Sequence, residues 1–126
     1  MNEVEKIQQK IKHSNQYALK NVELLFPDEI HSSSSTRLHI TAIGHSMSGS
    51  GIYPNDLLII DRAIEPQSGH IVLALVHGEF TLKRFHHHNG KTQLSSENKN
   101  FKSIQITPES QFKVVGVLTF HVHKHT

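Results

Sequence analysis

The spacing of apolar residues in the first part of the chain predicts a helical arm. Between residues 3 and 26, apolar side chains recur at helical spacing, with Lys and Glu residues between them. The members of this stripe are Val4, Ile7, Ile11, Ala18, Val22 and Leu25. Ser14 and Asn15 interrupt the stripe, so two shorter helices are the alternative to one, and Pro27 ends the pattern. We expect an amphipathic arm that packs on its own domain or on a partner.

A serine-rich stretch follows the predicted arm. Residues 28–36 include four consecutive serines at positions 32–35 and have the composition of a flexible linker. The segment before it has roughly thirty residues, too few for a helix-turn-helix DNA-binding domain with its own core. We therefore expect no direct sequence-specific DNA binding. The chain divides into an arm with its linker, residues 1–36, and a single domain, residues 37–126.

From Arg37 onward the pattern of apolar and polar residues changes to a period of two, which is typical of β-strands. Leu38, Ile40 and Ala42 alternate with polar residues and predict a strand that runs into Gly44. The apolar runs at residues 57–60 and 71–76 are bounded by turn residues, and they predict strands with both faces covered. The expected fold class is therefore mainly β, antiparallel, after a helical arm.

Turn-forming residues divide the second half of the chain into further strands. Residues 76–80 predict a tight hairpin, and Phe80, Leu82 and Phe85 mark the return strand, with a change of face or a bulge before Phe85. Asn89 and Gly90 are a strong hairpin signal, because a type I′ turn needs positive φ at both central positions. Residues 112–122 predict a long last strand with Gly116 at a bulge.

Composition narrows the class of protein. The 126 residues suit one domain, and the absence of cysteine excludes disulfides, zinc-thiolate sites and a cysteine nucleophile. No apolar run approaches the length of a membrane span, and no apolar signal segment follows Met1. A net charge of +2 does not by itself indicate a nucleic-acid partner. These features predict a soluble protein of the cytoplasm that binds no membrane.

Ser46 and Lys83 are the candidates for chemistry. Ser46 lies just after a predicted strand in a glycine-rich turn, which can expose a hydroxyl and direct backbone N–H groups at an oxyanion. A lysine can remove the serine proton only when it is neutral, and burial without a carboxylate neighbour lowers its pKa. Lys83 lies in a predicted strand on the same face as Thr81 and Phe85. Taken separately, an exposed turn serine and a surface lysine are the simpler interpretation.

Four sequence blocks, in the order in which they occur along the chain, favour a catalytic role for Ser46 and Lys83 over the simpler interpretation. They are GHSM at residues 44–47, GIYPNDLLIID at 51–61, SGHIV at 68–72 and GEFTLK at 78–83. Together they resemble the LexA/UmuD family of self-cleaving serine proteases, peptidase family S24. The resemblance runs from about Leu38 to the end of the chain, and the closer likeness is to UmuD-type accessory subunits of the SOS mutagenic polymerase.

The resemblance implies a fold, a site and partners. The fold would be the family's β-rich, partly barrel-like peptidase domain, dimeric in solution. Ser46 would be the nucleophile and Lys83 the general base, with the backbone amides of His45, Ser46 and Met47 as oxyanion donors. Self-cleavage would be stimulated by RecA on single-stranded DNA, and the partner would be the catalytic subunit of a Y-family DNA polymerase. No cofactor is implied.

One departure from the family concerns the bond that is cut. Family members cut their own N-terminal segment at a bond ending in glycine, whereas no glycine precedes Gly44 here, and Ala18 is followed by Leu19. Three alternatives follow: an atypical bond in the serine-rich linker, cleavage of another chain, or an uncleaved accessory protein that keeps the Ser-Lys pair.

Histidines form a second candidate site. Residues 86–88 are three consecutive histidines at a predicted hairpin tip, and His121, His123 and His125 alternate near the chain end. Imidazoles on one strand face can hold Zn²⁺ or Ni²⁺. Adjacent histidines at a tip and at a terminus are more simply solvated polar residues, so we expect no metal site.

Overall fold

The computed structural model describes residues 19–21, 36–42, 46–123 and 125. Within these ranges the chain forms eight β-strands and two short 3-10 turns, Ser48–Ser50 and Pro108–Ser110. The strands are β1 Leu19–Asn21, β2 Arg37–Ala42, β3 Leu57–Asp61, β4 Ile71–Val76, β5 Glu79–His88, β6 Lys91–Ser95, β7 Ile104–Gln105 and β8 Lys113–Val122. The mainly β prediction is confirmed.

All eight strands belong to one antiparallel sheet in the order β1-β2-β3-β8-β4-β5-β6-β7. The last strand therefore lies in the middle, between β3 and β4. Both predicted hairpins form with positive φ at two consecutive residues: His77 and Gly78 join β4 to β5, and Asn89 and Gly90 join β5 to β6.

The predicted irregularity at Gly116 is present and has a packing cause. The pairing between β4 and β8 shifts by one residue between Leu73 and Ala74, opposite the segment that contains Gly116. A Cβ atom on Gly116 would lie 2.7 Å from a side-chain carbon of Ile60 and 2.9 Å from the carbonyl oxygen of Asp61. A larger residue at position 116 would therefore collide with β3, which explains the glycine there.

The sheet buries apolar side chains on both faces, which divides the core into two clusters. One cluster contains Leu38, Ile40, Met47, Ile52, Leu58, Ile60, Leu73, Phe80 and Leu82, and the other contains Val72, Ala74, Val76, Phe85, Leu94 and Val117. Strand β4 contributes to both clusters, as its continuous apolar run predicts. Phe80 and Leu82 pack in the first cluster and Phe85 in the second, so the predicted change of face before Phe85 is confirmed, whereas β5 has no register shift there and the alternative of a bulge is wrong.

The helical prediction is wrong for part of the arm. Leu19–Asn21 form strand β1, which pairs with β2 through Leu19 opposite Ala42 and Asn21 opposite Ile40. Available hydrogen-bond partners on the edge of β2 outweigh a helical apolar spacing that is interrupted at Ser14 and Asn15. The rest of the predicted arm, residues 3–18 and 22–26, and the serine run 32–35 lie outside the described residues. The division at residue 36 stays a prediction.

Candidate active site

The turn that carries Ser46 follows β2, and the side chain of Met47, the next residue, holds it in place. Met47 is 2% exposed and packs in the first core cluster, so its side chain anchors the turn to the sheet. The carbonyl oxygen of Met47 accepts hydrogen bonds from the amides of Ser50 and Ile52, at 3.0 and 3.3 Å. Gly51, with φ of +81°, ends the 3-10 turn Ser48–Ser50. The local sequence thus fixes Ser46 at the edge of the core, where it is buried.

Lys83 reaches the same place from strand β5. It pairs opposite Val72 of β4, and its side chain is buried. Its Nζ atom donates hydrogen bonds to Ser46 Oγ at 3.3 Å, Thr81 Oγ1 at 2.7 Å and the carbonyl oxygen of Leu82 at 3.3 Å. The structure therefore brings the two predicted residues together.

Burial changes the acid-base chemistry of this lysine. Desolvation lowers the pKa of Lys83 from 10.5 to about 8. None of the ion pairs among the described residues involves Lys83, so no carboxylate in that part of the chain forms an ion pair that opposes the effect. With a pKa of about 8, about one Lys83 amine in ten is neutral at pH 7, against roughly one in three thousand for an unperturbed lysine. A neutral amine at this position can accept the proton of Ser46.

Two of the three predicted oxyanion donors lie in the described turn. Among the hydrogen bonds of the described residues, none has the amide of Ser46 or Met47 as its donor. These N–H groups are therefore without hydrogen-bond partners within that part of the chain, which leaves them available as donors; their role as oxyanion donors stays a prediction. His45, the third predicted donor, lies outside the described residues.

Sequence reasoning did not identify Thr81, Arg84 and Glu97 as residues that lie around Ser46 and Lys83. Thr81 precedes Lys83 by two positions on the same strand face, and that spacing was a signal for its hydrogen bond to Nζ. Glu97 and Arg84 meet at the other side of the Ser46 turn, where Arg84 Nε donates to Glu97 Oε1. No local spacing indicates this contact, because thirteen positions and a hairpin separate the two residues.

The two groups of candidate histidines lie on the β5–β6 hairpin and at the end of β8. His86 and His88 line a polar cleft of about 280 Å³ on the β5–β6 hairpin, together with Asn89, Lys91, Gln93 and Gln105. His123 Nδ1 lies 2.5 Å from the buried carboxylate of Asp56, which also accepts the amide of Tyr53 at 2.8 Å. Within the described ranges, no group of three or more His, Asp or Glu side chains is arranged to hold a metal ion.

Comparison with known proteins identifies a family and several relatives. The sequence profile of a family described as Peptidase S24-like matches residues 5–119. The LexA repressor of Polaromonas naphthalenivorans is 40% identical over 74 residues, which cover 59% of this chain and 32% of the repressor. The LexA repressors of Clostridium novyi and Clostridium botulinum are 35% and 37% identical over 103 residues, covering 80% of this chain and 50% of each repressor.

The matched relatives are longer than this chain. The chain spans about a third to a half of the length of the curated relatives that it matches. The three named relatives are repressors, and the closer likeness to UmuD-type proteins stays a prediction. No helix of the described residues is both long enough and apolar enough to cross a membrane.

Proposed function

The chain belongs to the Peptidase S24-like family, and we propose that it is a serine endopeptidase of the DNA-damage response in which Ser46 and Lys83 cut a peptide bond. The contact between Ser46 Oγ and the buried Lys83 Nζ, at 3.3 Å, carries the proposal. A surface lysine with an unperturbed pKa would be a poor base for a serine hydroxyl at neutral pH. Desolvation of Lys83 supplies the required change.

The proposed reaction has two steps. Neutral Lys83 accepts the proton of Ser46 Oγ while that oxygen attacks the scissile carbonyl carbon, and the amides of Ser46 and Met47 stabilise the oxyanion. The tetrahedral intermediate then breaks its C–N bond, and the Lys83 ammonium gives its proton to the leaving amine. Water, deprotonated by Lys83, attacks the resulting Ser46 ester. The ester C–O bond then breaks, the Lys83 ammonium returns the proton to Ser46 Oγ, and the new carboxylate is released.

The substrate of the proposed reaction is a bond in this chain or in a second copy. Residues 1–43 contain no glycine, so a bond cut within them would differ from the family's usual one. The serine-rich linker at residues 32–35 is the candidate within the printed sequence, because a protease binds its substrate in extended form. RecA on single-stranded DNA would stimulate the cut. The three repressor relatives favour a regulator of the SOS response in the cytoplasm.

Exposed apolar side chains support a homodimer. Phe120 is 66% exposed and Val122 is 42% exposed, two positions apart on β8. In the described structure, β4 pairs with β8 only as far as Val117, so the segment after it is bonded to β3 alone. An unpaired strand edge beside exposed apolar residues favours association with a second copy.

A second candidate function is a non-cleaving dimeric module that binds the catalytic subunit of a Y-family DNA polymerase and keeps the Ser-Lys pair. The lack of glycine within residues 1–43 is compatible with it, because the family's usual cleavage bond is not found in that segment. A pull-down that recovers such a polymerase with both wild-type and Ser46→Ala protein would support this role. Recovery of none would count against it.

Intact-mass measurement separates the candidates. Purified protein is incubated at alkaline pH, and separately with RecA–single-stranded DNA filaments, beside Ser46→Ala and Lys83→Ala variants. We expect the wild type to shorten and both variants to remain intact. Adding ¹⁵N-labelled Ser46→Ala protein as a substrate distinguishes cutting of a second copy from cutting within one chain. A wild type that keeps its full mass in all conditions would remove the peptidase proposal.

A further inference from the structure

Glu97 encloses the Ser46 turn through its backbone. The amide of Glu97 donates to the carbonyl oxygen of Ser46 at 2.9 Å, and the carbonyl oxygen of Glu97 accepts the amide of Gly49 at 2.6 Å. The next residue adds a side-chain contact, because Asn98 Nδ2 donates to Ser48 Oγ at 3.2 Å. The segment just after β6 therefore holds the turn at three residues, Ser46, Ser48 and Gly49.

Arg84 connects this segment to the strand that carries Lys83. Its guanidinium donates to Glu97 Oε1 through Nε, to Ser50 Oγ at 3.0 Å and to the carbonyl oxygen of Gly69 at 2.5 Å. Arg84 directly follows Lys83 in β5, so its backbone moves with that of the lysine. One side chain thus reaches both the end of the Ser46 turn and the residue that encloses it.

The contacts of Arg84 and Glu97 affect the distance between Ser46 Oγ and Lys83 Nζ. The two residues lie on different elements, and a 3.3 Å hydrogen bond between Oγ and Nζ joins them directly. Exposed ion pairs add little to stability, and Arg84 and Glu97 are each about 30% exposed. Positioning of Ser46 relative to Lys83 explains the Arg84 and Glu97 contacts better than stability does, because a displacement of about 1 Å can cost about a hundredfold in rate.

We propose that Arg84 and Glu97 are positioning residues that hold the Ser46 turn against β5 so that Oγ stays within reach of Lys83 Nζ. The proposal rests on the proposed peptidase function for its rate effect. The geometric part stands on the contacts of Glu97 and Arg84 alone. Within the described residues, Lys83 Nζ donates its hydrogen bonds to Ser46, Thr81 and Leu82 and to neither of these side chains, so both act through the turn.

The test compares Glu97→Gln and Arg84→Gln with Arg84→Lys and with two exposed controls at hairpins, Glu79→Gln and Lys91→Gln. Cleavage rate is measured from pH 6 to pH 10 by intact mass. We expect the plateau rate to fall roughly tenfold or more in both glutamine variants, with an unchanged midpoint pH, because Lys83 stays desolvated. Arg84→Lys keeps the charge and loses the three-way contact, so it should recover only part of the rate.

A second readout does not depend on activity. Amide hydrogen exchange is followed in residues 46–52 and, as an internal reference, in residues 71–76 of β4. We expect faster exchange in the turn of both glutamine variants and no change in β4 or in the exposed controls. If the wild type does not cleave, the peptidase proposal fails. Faster exchange in the turn of the glutamine variants would still support the positioning role of Arg84 and Glu97. Cleavage at the wild-type rate in both glutamine variants, or exchange in the turn equal to wild type, would overturn the positioning role.

Discussion

Lys83 Nζ lies 3.3 Å from Ser46 Oγ, although 37 positions separate the two residues in the chain. Ser46 is placed by the anchoring of Met47 in the core, and Lys83 by the pairing of β5 with β4. The amine lies where water is largely excluded, which lowers its pKa to about 8. The contact therefore joins a serine to a lysine that can be neutral under mild conditions.

The first prediction concerns the pH dependence of cleavage. Only neutral Lys83 can accept the serine proton, so the rate should rise about tenfold per pH unit below the pKa of Lys83 and level off above about 8. Intact-mass time courses at constant ionic strength measure this profile. A rate that still climbs tenfold per unit up to pH 10 would show that Lys83 is not desolvated in solution.

The second prediction is that Lys83→Met stabilises the fold at neutral pH. The folded state disfavours the ammonium, and the lowering from 10.5 to about 8 corresponds to roughly 3 kcal/mol. Below pH 8 the wild type bears this full cost, because the lysine of the unfolded chain is protonated there. Between about pH 8 and 10.5 the folded state binds fewer protons than the unfolded state, so wild-type stability rises with pH.

Chemical denaturation at several pH values measures this effect. We expect Lys83→Met to raise the free energy of unfolding by ~1–3 kcal/mol at pH 7, with the gain shrinking towards pH 10.5. Lys91→Met at an exposed hairpin position is the control and should show no such pH dependence. A Lys83→Met protein less stable than wild type at pH 7 would contradict the expectation.

The third prediction concerns Thr81, whose Oγ1 accepts a hydrogen bond from Lys83 Nζ at 2.7 Å. Thr81→Val removes that acceptor at nearly constant volume, so the ammonium loses a partner and the pKa of Lys83 should fall further. The pH–rate midpoint should move to lower pH, and the plateau should drop because the amine is less well oriented. Thr81→Ser keeps the hydroxyl and should retain the wild-type midpoint; identical profiles for all three proteins would exclude this role.

The fourth prediction is that Gly49→Ala damages the Ser46 turn. A Cβ atom on Gly49 would overlap the carbonyl oxygen of Glu97, which accepts the amide of that same glycine. We expect a loss of about 2 kcal/mol or more in unfolding free energy, together with loss of cleavage. Gly90→Ala is the comparison, since nothing lies within 4 Å of its added Cβ, and it should cost about 1 kcal/mol through positive φ alone. Equal losses in the two variants would argue against a close contact at Gly49.

The fifth prediction concerns association through β8. Phe120→Asp places a charge on the most exposed of the large apolar side chains in the described structure, and it should convert a dimer to monomer. Sedimentation velocity over a range of protein concentrations measures the effect. Phe101→Asp, at another exposed aromatic position, is the control. A dimer that survives Phe120→Asp unchanged would place the interface elsewhere.

Strand locations could be predicted because their signals are local. Alternation from Leu38 to Ala42, the run at 71–76 and the Asn89–Gly90 turn each set an element through pleat geometry or positive φ. The helical spacing near Leu19 was a weaker signal, and pairing with β2 outweighed it in the part of the arm that the structure describes. The candidate pair could be named because ordered sequence blocks surround Ser46 and Lys83.

The sequence by itself determined the β-rich class, the turns and the two residue types that the proposed chemistry needs. Only the tertiary structure decided how far Ser46 lies from Lys83, because that distance depends on separate elements meeting across the core. The tertiary structure also decided that Thr81 contacts Lys83 and that Arg84 contacts Glu97. The physical reason is that burial, and with it the pKa of Lys83, depends on neighbours that are distant along the chain.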